Sequence, residues 1–129
     1  MILKESINMR TPSCVKKGLL DEKTINDIKT ALIISVNAQL NLLGKNNPDG
    51  WFSVYKIAGG ENTPYRYPWQ SIYDTLLRYY EGNSNKAYIV TAQDMGWFLL
   101  EVLKQDVRIF ETSHMRRGRG IVRAYRWVE

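Results

Sequence analysis

Residues 114–127 read HMRRGRGIVRAYRW and gather five arginines and two glycines into fourteen positions. The chemistry most open to such a stretch is contact with phosphate. Arginine presents a planar fork that binds phosphate oxygens in pairs, and it also suits the enhanced negative potential of a narrow minor groove. Gly118 and Gly120 let the backbone approach a phosphate closely. Arg116, Arg117 and Arg119 cluster around Gly118, and Arg123 follows on the return segment. A solvated basic tip that binds nothing is the competing reading. A third uses His114 as a general acid beside Arg116 and Arg117, with Tyr125 assisting, which would make a small ribonuclease. No second histidine or carboxylate partner stands out by spacing, so the expectation is a protein without catalytic residues.

Other chemistries are poorly supplied. One histidine and one cysteine, Cys14, fall short of a zinc ligand set and allow no internal disulfide, and a single thiol fits a reducing compartment. No phosphate-cradling glycine loop of the P-loop type and no Gly-x-Ser-x-Gly occurs, and no cofactor is implied. Apolar runs such as ALII, residues 31–34, are far below the roughly 20 residues of a membrane span. The start, MILKESINMRTPS, lacks the apolar core of a signal peptide. The expected location is therefore the cytoplasm of a bacterial or host cell.

The distribution of charge says more than the net +5. Residues 1–18 carry Lys4, Arg10, Lys16 and Lys17 against Glu5 alone, and residues 107–129 carry six arginines against Glu111 and Glu129. The stretch between holds more acid than base. Positive charge gathered at the two ends of a slightly acidic body points to contact surfaces for a polyanion. A second candidate for nucleic-acid contact is YRYPW, residues 65–69, whose Tyr65, Tyr67 and Trp69 around Arg66 could stack unpaired bases. The more economical reading is that these rings staple a helix to the core.

The elements that must position these residues follow from periodicity. Residues 1–19 lack a clean repeat and read as a loosely ordered basic arm, with a short strand expected at Met1–Leu3 and nothing to mark Cys14 as a nucleophile. Ile25, Ile28, Leu32, Val36, Leu40 and Leu43 fall at steps of three and four, which predicts a helix over 21–44 capped by Asp21 and Gly44. Ile33 and Ile34 widen its apolar stripe and imply burial on more than one side. A turn over 45–50, with Gly50 available for positive φ, leads into an expected strand WFSVYKIA, 51–58, and a loop GGENTP, 59–64. A second helix is expected over 68–83. KAYIV, 86–90, reads as a linker or short strand. A third helix is expected over 91–106, with Thr91 and Asp94 spaced like a capping box. VRIFETS and GIVRAYRWV, flanking the arginine cluster, carry the composition of a hairpin.

The order helix, short strand, helix, helix, hairpin resembles the winged helix, a helix-turn-helix variant. The stretch TAQDMGWFLLEVLKQDVRIFETSHMRRGRGIVRAYRWVE, residues 91–129, is similar to the third helix and wing of some phage and plasmid replication proteins and regulators. The resemblance implies an α+β fold over 20–129, with three helices, a short strand and a C-terminal wing, preceded by the arm 1–19. It implies double-stranded DNA as partner, in transcription regulation or replication initiation, with the third helix in the major groove and the wing on backbone or minor groove. Carried onto this chain, the contacts are Arg116, Arg117, Arg119 and Arg123 on the wing, Gln93, Trp97 and Lys104 on the third helix, and Lys16 and Lys17 in the arm. Asp94 and Glu101 are poor neighbours for phosphate. Trp97 and Leu100 read equally as core or as a docking face for a protein partner or a second copy in a dimer. A different class is then a protein-interaction module or inhibitor of a nucleic-acid machine on the same scaffold, of the anti-CRISPR kind.

Overall fold

The structure is a computed structural model and describes residues 2–3, 11–57 and 67–129. The loop 59–64, Tyr65 and Arg66 of the aromatic cluster, and the arm residues Met1 and 4–10 lie outside the described residues. The described elements are α1 (Ser13–Lys16), α2 (Glu22–Leu43), a 3-10 turn (Val54–Lys56), α3 (Trp69–Tyr79), α4 (Ser84–Gln105), β1 (Ile109–Arg117) and β2 (Gly120–Val128). Among the described residues, four helices and a C-terminal antiparallel hairpin make the fold α+β.

Helix α2 forms where the repeat places it. Asp21 accepts from the Thr24 N–H at 2.8 Å, which satisfies one of the donors a helix N-terminus leaves free. Gly44, at φ 79°, ends the helix with its N–H on the Leu40 carbonyl. Ile28, Leu32, Val36 and Leu40 are buried, but Ile33 and Ile34 are 46% and 64% exposed, so α2 buries one face only. The turn that follows takes its positive φ at Asn46, not at Gly50.

The expected strand 51–58 is not built as one. Phe52 alone exchanges both backbone hydrogen bonds with Tyr125, at 2.9 and 2.8 Å, and the chain then tightens into the 3-10 turn. Ser53 caps that turn through its hydroxyl to the Tyr55 N–H, a local bond that competes with sheet pairing. Phe52, Val54 and Ile57 still reach the core. On the opposite edge of the hairpin, the expected strand at 1–3 is represented by a single bridge from Ile2 to Glu111.

Helix α4 starts seven residues before the expected position, and KAYIV is helical. Glu81 and Gly82, at φ 54° and 86°, terminate α3, and Asn83 immediately restarts the chain by accepting from the Lys86 N–H at 3.1 Å. A short run such as AYIV, residues 87–90, fits a strand or a buried helix equally, and here the cap decides. Thr91 and Asp94 therefore lie inside the helix and form no capping box. The Thr91 hydroxyl bonds back to the Ala87 carbonyl. α4 is the central helix: Ala87, Met95, Phe98, Leu99, Leu100 and Leu103 are buried, and it packs against α1, α2, α3 and the 3-10 turn.

The C-terminal part of the expected loose arm is folded. α1 docks Cys14 in the core, fully buried, because Asp94 of α4 caps it from a distance. The two carboxylate oxygens accept from the Ser13 N–H at 2.7 Å and the Cys14 N–H at 3.0 Å. Pro12, at the cap position, supplies no side-chain bond of its own. Burial pushes the Cys14 thiol up, and the neighbouring Asp94 charge adds to the rise. Burial likewise raises Asp94, more than its two N–H donors lower it.

Candidate nucleic-acid interface

The hairpin register pairs Ile109 with Val128 at its base and Arg117 with Gly120 at its tip. Two residues, Gly118 and Arg119, make the turn, and Gly118 stands at φ 59°, the requirement of a type II′ hairpin turn at its first central position. Phe110 and Thr112 are buried near the base, while residues 113–117 are exposed. The sheet thus anchors at one end and projects its arginine-bearing end into solvent. The flanking pairing makes the basic stretch a hairpin and not a tail. His114 stands opposite Arg123 and Arg116 opposite Ile121, so directly opposed residues put His114, Arg116 and Arg123 on one face. His114 faces Arg123 across the ladder.

Arg117 belongs to the other face. Its guanidinium lies 3.6 Å over the Tyr55 ring. Tyr55 packs its ring 5.7 Å from Trp69, at the start of α3, and lies close enough to Tyr88 of α4 for the two phenols to interact electrostatically. Burial raises the Tyr55 phenol, Tyr88 adds to the rise, and Arg117 opposes it. Arg117 therefore ties the hairpin to the 3-10 turn, which packs on α4 and, through Tyr55, on Trp69 of α3.

A second chain of contacts reaches the same helix from the other side. Lys17, just after α1, sits 5.7 Å over the Tyr79 ring. Tyr79 meets Tyr80 edge-on at 5.0 Å, and Lys86 lies 4.7 Å over Tyr80. By the 3.6-residue repeat, Tyr88 and Lys86 fall on opposite flanks of a strip that runs through Asn85, Ile89 and Gln93. All three strip residues are exposed, Ile89 by 56%. Cationic side chains from the hairpin and the arm lie over tyrosines of elements that pack on α4, and the strip begins at the positive end of the helix dipole.

The carboxylates that made this helix look unsuitable are both accounted for. Asp94 is buried as the cap of α1. Glu101 pairs with Lys29 of α2 at 2.7 Å. Among the described residues, the cleft beside that pair is otherwise lined by Thr11, Pro12, Val15, Ile25 and Phe98, which carry no charge.

The expected contact residues divide accordingly. Arg116, Arg117, Arg119 and Arg123 are exposed on the hairpin, Gln93 is exposed on the strip, and Lys16 and Lys17 are exposed at the end of α1, Lys17 over Tyr79. Lys104 is near the end of α4, roughly 28 Å along the helix from Asn85, and does not join them. Trp97 is half-buried. Leu100 is 5% exposed and belongs to the core, so the expected Trp97/Leu100 docking face is reduced to Trp97. Residues missed at the sequence level are Asn85, Lys86, Ile89, Tyr55 and Tyr88. The signal that pointed to the first three was Gly82–Asn83, a stop followed directly by a cap. No described helix is long and apolar enough to cross a membrane. Comparison with family models, with curated proteins and with solved structures finds no match for this chain.

Proposed function

We propose that the chain is a non-enzymatic, winged-helix-type protein that binds double-stranded DNA through the first half of α4 and the wing. The observation that carries this reading is the set of cations around the elements packed on α4: Arg117 over Tyr55 of the 3-10 turn, and Lys17 and Lys86 over Tyr79 and Tyr80. The order of pairing also favours the winged-helix layout. The residue between α2 and α3, Phe52, pairs with the last strand, and the last strand pairs with β1. A groove-entering helix needs Asn, Gln, Ser or Lys on its exposed side, and α4 offers Ser84, Asn85 and Lys86 in its first turn and Gln93 two turns further on. Phosphate contacts come from Arg116, Arg117, Arg119, Arg123, Lys16 and Lys17. The activity this implies is transcription regulation or replication initiation in a cytoplasmic setting, as in a mobile element.

Fluorescence anisotropy with a labelled mixed-sequence duplex, at roughly 50 and 200 mM salt, tests the proposal. Micromolar or tighter binding that weakens steeply with salt is expected. Arg116→Ala, Arg117→Ala and Arg119→Ala should each reduce the log–log salt slope by about 0.9, one phosphate contact apiece. Absence of binding at low salt refutes the proposal. One observation favours the alternative of an interaction module or inhibitor: from Thr30 to Gly44 α2 carries no charge, and Ile33, Ile34 and Leu42 of this stretch are exposed. A pull-down that recovers a protein partner, lost in Leu42→Lys, combined with absent DNA binding, would select it.

A further inference from the structure

Resting on the proposed duplex binding, we infer that the preferred target is A·T-rich, with Asn85, Ile89 and Gln93 as the residues that set the preference. These three are successive at steps of four along α4 and all exposed, so they share one line on the helix surface. Their side chains match the major-groove edge of an A·T pair. A carboxamide pairs in two places with adenine N6 and N7, and an apolar side chain meets the thymine methyl group. Guanine calls instead for arginine or lysine, and none lies on the line. Lys86, on its flank, is held over Tyr80 at 4.7 Å. Ile89, 56% exposed between the two amides, offers the apolar side chain that a thymine methyl would cover.

The spacing is compatible with a short run of base pairs. Four helical residues advance about 6 Å, and a base pair about 3.4 Å. Asn85 to Gln93 therefore spans between three and four steps, and the recognised core is about five pairs. The wing favours the same composition from independent residues. Arg116 and Arg119 are exposed at the tip, and a narrow A-tract minor groove attracts arginine.

The experiment compares three labelled duplexes of equal length and equal salt. One has a central run of A·T pairs, one has G·C pairs there, and one keeps the A·T run with uracil for thymine, which removes only the methyl groups. The expected result is binding to the A·T core about tenfold or more tighter than to the G·C core. Uracil should weaken wild-type binding severalfold and leave Ile89→Ala unchanged. Gln93→Ala should shrink the A·T preference without altering the salt slope, since no phosphate contact is removed. Both variants alter exposed positions, and unchanged thermal melts confirm that they fold. Equal affinity for A·T and G·C cores, with a steep salt dependence, overturns this inference while duplex binding stands. Absence of binding to all three duplexes at low salt overturns both.

Discussion

Replacing Asp94 by alanine isolates the bond set that ties α1 to the body. The wild-type carboxylate accepts two backbone N–H groups on separate oxygens, at 2.7 and 3.0 Å, with Asp94 and Cys14 both fully buried. Alanine leaves both donors unpaired. Each buried unpaired group costs about 1–3 kcal/mol. Ser13 is half-buried, so its N–H regains water more easily than that of Cys14. Removing a desolvated charge offsets part of the loss as well. A net loss of about 2–4 kcal/mol follows. At about 2.1 cal/mol/K per residue, a chain of 129 residues has an unfolding entropy near 0.27 kcal/mol/K, so Tm should fall by about 7–15 °C. Urea unfolding followed by tryptophan fluorescence measures it. Asp94→Asn should lose less, because its amide oxygen still accepts one N–H while its NH2 confronts the other. The pH dependence has a definite sign. Burial raises the folded Asp94 above its ordinary value, so the folded state holds the proton more tightly than the unfolded one. Wild-type stability should fall as pH rises from the ordinary carboxylate range through the raised value, then level off, and Asp94→Asn should lack that component. A loss below about 1 kcal/mol in Asp94→Ala would show that the α1 donors are hydrated and that the long-range cap does not hold the arm.

Two further substitutions probe the wing and α2. Gly118→Ala meets open space but sits at φ 59°, so it should weaken the hairpin turn by about 1–2 kcal/mol, seen as faster amide exchange at residues 114–123 with the helices unaffected. Ile34→Lys combined with Leu42→Lys alters side chains 64% and 83% exposed. Monomer stability should stay within about 0.5 kcal/mol, and a larger loss in urea would mean that this face is covered in the protein as it exists in solution.

The sequence by itself determined the elements whose signal is local. α2 carried both its caps and its periodic face, and Asp21, Gly44 and the four buried residues stand where the spacing put them. The hairpin was legible because β-branched and aromatic runs flank a glycine-bearing turn, and turn chemistry operates within a few residues. The wing arginines, exposed at its tip, followed directly from that. What only the tertiary structure decided depends on contacts between segments far apart in the chain. KAYIV is compatible with strand or helix, and the Asn83 cap together with packing on α2 and α3 selected helix, which moved the start of α4 and brought Asn85, Lys86 and Ile89 onto its surface. Asp94 reads as an awkward charge on a groove-facing helix until α1, eighty residues earlier, donates two N–H groups to it. Glu101 is neutralised by Lys29 across a similar separation. Tyr55 meets its partners only when the 3-10 turn sets it against Arg117 and Trp69. Ile33 and Ile34 show the converse: apolar residues on a helix record what could be buried, but whether a neighbour arrives to cover them is settled by how the helices stack.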